Sequence, residues 1–91
     1  MTVTALVVAK APVPGLAKTR LAATIGDAAA AELAAASLLD TLDAVSAADV
    51  DRRVVALTGS LADAARADEL TLALASFTVI AQRGDGLGER L

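Results

Sequence analysis

The stretch from Lys10 to Leu21, KAPVPGLAKTRL, constrains this chain more than any other, because it sets stiff turn chemistry and three cations directly behind an apolar run. Thr4 to Ala9 (TALVVA) is short and continuously apolar, the pattern of a strand buried on both faces. Pro12 and Pro14 fix φ and remove two backbone donors, so the chain has to leave the strand there. Val13-Pro14-Gly15-Leu16 carries Pro and Gly at the two central positions of a type II turn. Lys18, Thr19 and Arg20 then open a short helix expected to end near Gly26, with Ala17, Leu21 and Ile25 spaced to face inward. A helix start offers free N–H groups and the positive end of a dipole, so a phosphate held there would meet backbone donors and charged side chains together.

The remainder reads as β-α-β-α-β with the first strand included. Asp27 is placed to cap a long helix from about Ala28 to Ala47. Ala35, Leu38, Leu39, Leu42 and Val45 fall on one arc of that helix, and Glu32, Asp40 and Asp43 on the opposite one. Leu33 falls at the edge of the polar arc. Arg53 to Thr58 (RVVALT) is a second strand closed by Gly59. Ser60 with Asp63 three residues on resembles a capping box opening another helix. Leu70 to Leu74 alternates with a strand period in a helix-favouring context and is assigned to that helix, and Phe77 to Gln82 (FTVIAQ) is the third strand. The expected fold is therefore α/β, a three-layer βαβαβ unit with a short parallel sheet and right-handed crossovers.

That architecture gives the charges a common address, since ligands of open α/β sheets bind outside the carboxyl ends of the strands. Of the eight basic residues, Lys10, Lys18, Arg20, Arg83 and Arg90 all follow the carboxyl end of strand one or strand three. An acidic chain, net charge −3, would thus have a locally positive crevice at one edge. The same net charge argues against a nucleic-acid surface, which needs a basic stripe to neutralise phosphates. Neither Cys nor His is present, so there is no disulfide framework and zinc loses its usual ligands. No apolar run approaches the roughly 20 residues that span a bilayer. Ala9-Lys10-Ala11 has the small-x-small form of a signal cleavage site but no positive n-region precedes it, and a cytoplasmic location is expected. Ninety-one residues make one domain at most, in which about 60 to 65 per cent of the unfolded surface is buried. Ala supplies much of the apolar content and Phe77 is the sole aromatic, so the core is broad and shallow.

KAPVPGLAKTRL resembles the opening of a bacterial glycosyltransferase-like family, the arsenosugar-biosynthesis-type glycosyltransferases of the nucleotide-diphospho-sugar transferase superfamily. TRLA is also similar to the nucleotide-binding loop of sugar-nucleotide pyrophosphorylases. Gln82-Arg83-Gly84 and Leu87-Gly88-Glu89-Arg90-Leu91 resemble the family's glycine-rich segment after its third strand. The two motifs span residues 1–91 yet cover less than half of such a domain. The resemblance therefore implies a single partial nucleotide-binding domain, the N-terminal half of a glycosyltransferase type A-like (Rossmann-like) fold. It implies a nucleotide-sugar or other nucleotide as partner and sugar transfer to a small acceptor. Lys18 and Arg20 would neutralise the diphosphate, Lys10 and Thr19 would assist, and the Pro14-Gly15 turn would let backbone approach the nucleotide. Gly84, Gly86 and Gly88 would pass near base or sugar. The family also implies a divalent metal, Mg or Mn, whose Asp ligand follows a fourth strand that is not among these residues. In the type A fold that strand pairs with the far side of strand one, which leaves the free edge of strand one as the place for homo-oligomer formation.

Other patterns carry less. Lys18-Thr19 is not a Walker loop, because Pro12 and Ala17 stand where GxxxxGK[ST] needs Gly. Asp49-Val50-Asp51 copies a DxD metal motif but leads into strand two at its amino end, away from the crevice, and reads as a solvated turn. A nucleotidyltransferase of the guanylyltransferase kind shares a similar Lys-x-Arg-Leu opening and is the alternative enzyme. A truncated, non-catalytic anion-binding or interaction module is the alternative of a different class.

Overall fold

The computed structural model describes residues 2–16 and 19–82, and of Thr19 and Leu21 the backbone alone. The elements run β1 (Thr4–Lys10), α1 (Thr19–Ile25), α2 (Asp27–Ala47), β2 (Arg52–Thr58), a 3₁₀ turn (Leu61–Asp63), α3 (Ala67–Leu74) and β3 (Thr78–Ala81). The strands form one parallel sheet in the order β1-β2-β3, with Leu6 opposite Val54 and Val54 opposite Thr78. The fold is α/β with an open sheet, as the alternation of strand and helix periods requires.

Strand order decides where the helices go. Two successive right-handed crossovers in one direction place both helices on the same face of the sheet. Val55 and Leu57 of β2 accordingly form the core with Ala35 and Leu42 of α2 and Leu70 and Leu74 of α3, and Val7 and Ala9 of β1 pack against it. On the opposite face Leu6, Val8 and Ile80 remain 60%, 61% and 49% exposed. Among the described residues there are thus two layers, not the expected three, and β1 is buried on one face only. Its alternation of exposed and half-buried residues is hidden in the sequence because both faces are apolar.

Helix α2 presents the expected arc. Ala35 and Leu42 are buried, Leu38, Leu39 and Val45 pack beside them, and Glu32, Asp40 and Asp43 are exposed along with Leu33. Its start differs from expectation, since Asp27 is the first helical residue and Gly26 is the cap, with no side-chain hydrogen bond. Gly26 sits at φ 92, closes α1 by donating to the Ala22 carbonyl at 2.8 Å, and accepts from Ala30 N–H at 3.0 Å. A break this sharp between two helices needs a residue without Cβ. Helix α1 packs against α2, but Ile25 is 42% exposed rather than turned inward. Ala17 and the Leu21 side chain lie outside the described residues.

The capping signal at Ser60 operates over a shorter range than expected. Its hydroxyl accepts from Ala62 N–H at 3.2 Å, but the segment it starts is a 3₁₀ turn, and α3 begins only at Ala67 behind Arg66, which adopts the left-handed conformation at φ 53. Leu70 to Leu74 is helical, with Leu70 and Leu74 buried. Phe77 precedes β3 and is buried in the core.

Candidate functional site

The carboxyl edge of the sheet is built by the loop that follows β1. Ala11 is held to β2 by a bond from its N–H to the Thr58 carbonyl at 2.8 Å, and Val13 N–H returns to the Ala11 carbonyl around the fully buried Pro12. The type II turn then forms as read: Leu16 N–H donates to the Val13 carbonyl at 2.9 Å and Gly15 sits at φ 87. Only the third residue of that turn needs positive φ, and Gly occupies it. A second tie crosses from the other crossover, where Ala65 N–H donates to the Pro12 carbonyl at 2.9 Å. The loop is therefore anchored at a buried proline while Pro14, Gly15 and Leu16 stand exposed.

Of the residues expected to bind, Lys10 ends β1 and is exposed, and Arg20 is exposed in the first turn of α1. Thr19 opens α1, as the sequence suggests, and its side chain is outside the description. Lys18, Gly84, Gly86 and Gly88, with Arg83 and Arg90, lie outside the described residues. Helix α1 has seven residues, so its dipole is small, and charge at this edge comes from side chains. At the ends of β2 and β3 the Thr58 hydroxyl donates to Gln82 Oε1 at 3.3 Å, tying the two strands together.

Two charged features were not legible as parts of this edge. Asp27 was read as a helix cap, yet its Oδ2 lies 3.7 Å from the position a Cβ would take on Gly15, which puts a carboxylate beside the turn. Nothing in the spacing of residues 15 and 27 signals that approach, because it depends on the break at Gly26. Arg66, ahead of α3, is engaged by Glu69 through two bonds, Nε to Oε1 at 3.0 Å and the terminal nitrogen to Oε2 at 2.6 Å. The Arg66 hydrogen bond holds the Glu69 carboxyl below its ordinary pKa, and the same pairing raises Arg66. That cation is already paired with a carboxylate.

Among the described residues no group of three or more Asp and Glu side chains is close enough to share an ion. Asp85 and Glu89 lie outside them. Magnesium sites need only one or two carboxylates together with substrate phosphates, and Asp27 beside Gly15 is a described carboxylate at this edge for the divalent ion implied by the resemblance. No step is derived through it.

An open cavity of about 600 Å³ lies at the other, amino edge of the sheet, lined by Asp51 to Val54 and Ala75 to Thr78. Its charged groups are largely committed to structure. Asp51 Oδ2 accepts from Val3 N–H at 2.7 Å, so the DxD segment closes the sheet rather than serving the opposite edge. Arg53 donates from Nε to the Val45 carbonyl at 2.9 Å and from a terminal nitrogen to the Ala48 carbonyl at 2.6 Å, covering the end of α2. No helix among the described residues is long and apolar enough to cross a membrane. No family model, curated protein or solved structure matches this chain.

Proposed function

We propose that this chain is the nucleotide-binding portion of a glycosyltransferase-like α/β domain, and that the loop after β1 holds the diphosphate of a nucleotide-diphosphate sugar. One observation carries the reading: the Val13–Leu16 type II turn, fixed to the buried Pro12, stands at the carboxyl edge with the exposed cations Lys10 and Arg20 on either side in the chain. A rigid turn with a glycine lets backbone approach a ligand, and Lys10 and Arg20 supply neutralising charge. Asp27 beside Gly15 opposes them, so side-chain cations have to outweigh one carboxylate.

Calorimetric titration with UDP and GDP tests the assignment. A charge-assisted bond from a guanidinium contributes about 1.5 to 3 kcal/mol, so Arg20→Ala should weaken binding about tenfold or more. Asp27→Asn should strengthen it. Arg52→Ala, at the amino edge, is the comparator and should bind as the parent does. Equal affinity in the parent and Arg20→Ala would refute the assignment.

A further inference from the structure

We propose that β1 pairs antiparallel with β1 of a second copy of this chain, about a two-fold axis at Val7. The hydrogen bonds at its two ends show which way the strand faces. The Val3 carbonyl accepts from Asp51 and Arg52 N–H, and Ala11 N–H donates to the Thr58 carbonyl. Backbone groups alternate along a strand, so Ala5, Val7 and Ala9 direct theirs toward β2, and Thr4, Leu6, Val8 and Lys10 direct theirs to the outer edge, which pairs with no strand among the described residues. The same four residues carry side chains on the bare face, where Leu6 and Val8 are 60% and 61% exposed.

Native edges are protected by brevity, by Pro, by bulges or by inward charge. β1 has seven residues in unbroken register with β2, contains no Pro, and is apolar between Thr4 and Lys10. β3 is shorter, at four residues. The centre at Val7 follows from counting partners. Only there does every edge-facing residue meet another, Thr4 with Lys10 and Leu6 with Val8. Lys10 then faces Thr4 of the second copy, so no like charges oppose.

Area sets the strength. Seven residues make an edge about 23 Å long. A single pairing of that length is small beside the roughly 800 Å² per partner of a standard stable interface, so association is expected to be weak.

Sedimentation from 10 μM to 1 mM should show a monomer–dimer equilibrium. Val8→Pro removes one edge-facing N–H and no bond to β2, and should weaken association at least tenfold while circular dichroism stays that of the parent. Leu6→Lys serves the same purpose should Val8→Pro unfold. Leu72→Lys, on the outer face of α3, should associate as the parent does. Because the chain has no Cys, single cysteines report the register. Val7→Cys places two thiols directly opposite each other at about 4.5 Å between Cα atoms and should cross-link on oxidation. Leu6→Cys leaves them beyond about 7 Å apart and should not. The proposal is overturned by a monomer at 1 mM, by association unchanged in Val8→Pro or Leu6→Lys, or by equal cross-linking of the two cysteine variants. Slow amide exchange at Leu6 and Val8 in a monomer would equally overturn it, since another part of the chain would then cover the edge.

Discussion

Replacing Arg53 tests how the long helix is joined to the sheet. Where helix α2 ends, the Val45 carbonyl accepts from Ala48 N–H at 3.1 Å and the Ala48 carbonyl from Val50 N–H at 3.0 Å, and the half-buried Arg53 guanidinium at the start of β2 donates to both as a second partner, at 2.9 and 2.6 Å. Hydrogen bonds from a charged donor contribute about 1.5 to 3 kcal/mol each, and a cation at a helix C-terminus adds a fraction more. Both carbonyls keep their backbone donor and gain water once the guanidinium is removed, so the net loss in Arg53→Ala is about 2 kcal/mol rather than the sum of two charged bonds. A chain of this length is stable by roughly 5 to 14 kcal/mol. Thermal unfolding followed at 222 nm should therefore show a midpoint lower by about 8 to 16 °C. Arg53→Lys keeps the charge but not the planar fork and should recover about half of the loss. Arg52 is exposed and makes no side-chain hydrogen bond among the described residues, so Arg52→Ala should stay within about 0.5 kcal/mol of the parent. If Arg53→Ala matches Arg52→Ala, the two carbonyl contacts do not stabilise the junction and the reasoning fails.

Further outcomes follow from the core and from the one ion pair among the described residues. Leu42 is fully buried between α2 and the sheet, so Leu42→Ala should lower stability by about 2 to 5 kcal/mol in urea unfolding, whereas Leu33→Ala, exposed on the same helix, should change it little. Glu69 has its pKa depressed by Arg66, so its contribution is present at neutral pH and is lost as pH falls through the lowered value. Carbon-detected NMR titration should find the Glu69 midpoint below the ordinary glutamate range, and Arg66→Ala should return it to that range.

How much of this could be read from the amino acids depends on the range over which each feature is decided. The Val13–Leu16 turn was legible because proline and glycine act within four residues, and its bond and positive φ appear as read. The apolar arc of α2 was legible because a 3.6 period leaves its mark over twenty-one residues. Short signals were weaker. Ser60 and Asp63 describe a cap equally well for an α-helix and for the 3₁₀ turn that forms, since both begin with the same bond, in which the second amide N–H donates to the hydroxyl oxygen.

What the tertiary structure alone decided lies across the sheet and at its ends. TALVVA reads as buried on both faces because hydropathy records that a residue is apolar, not whether anything covers it. The strand order β1-β2-β3 sends both crossovers to one side and leaves Leu6, Val8 and Ile80 bare. Arg53 beneath α2 and Asp27 beside Gly15 likewise arise from where helices start and stop in space, and no local spacing reports such meetings. Local chemistry selected the turns, the strands and the faces of the helices. Which faces found partners was settled by the order in which the strands came together, because burial belongs to the assembled layers and not to the residues one at a time.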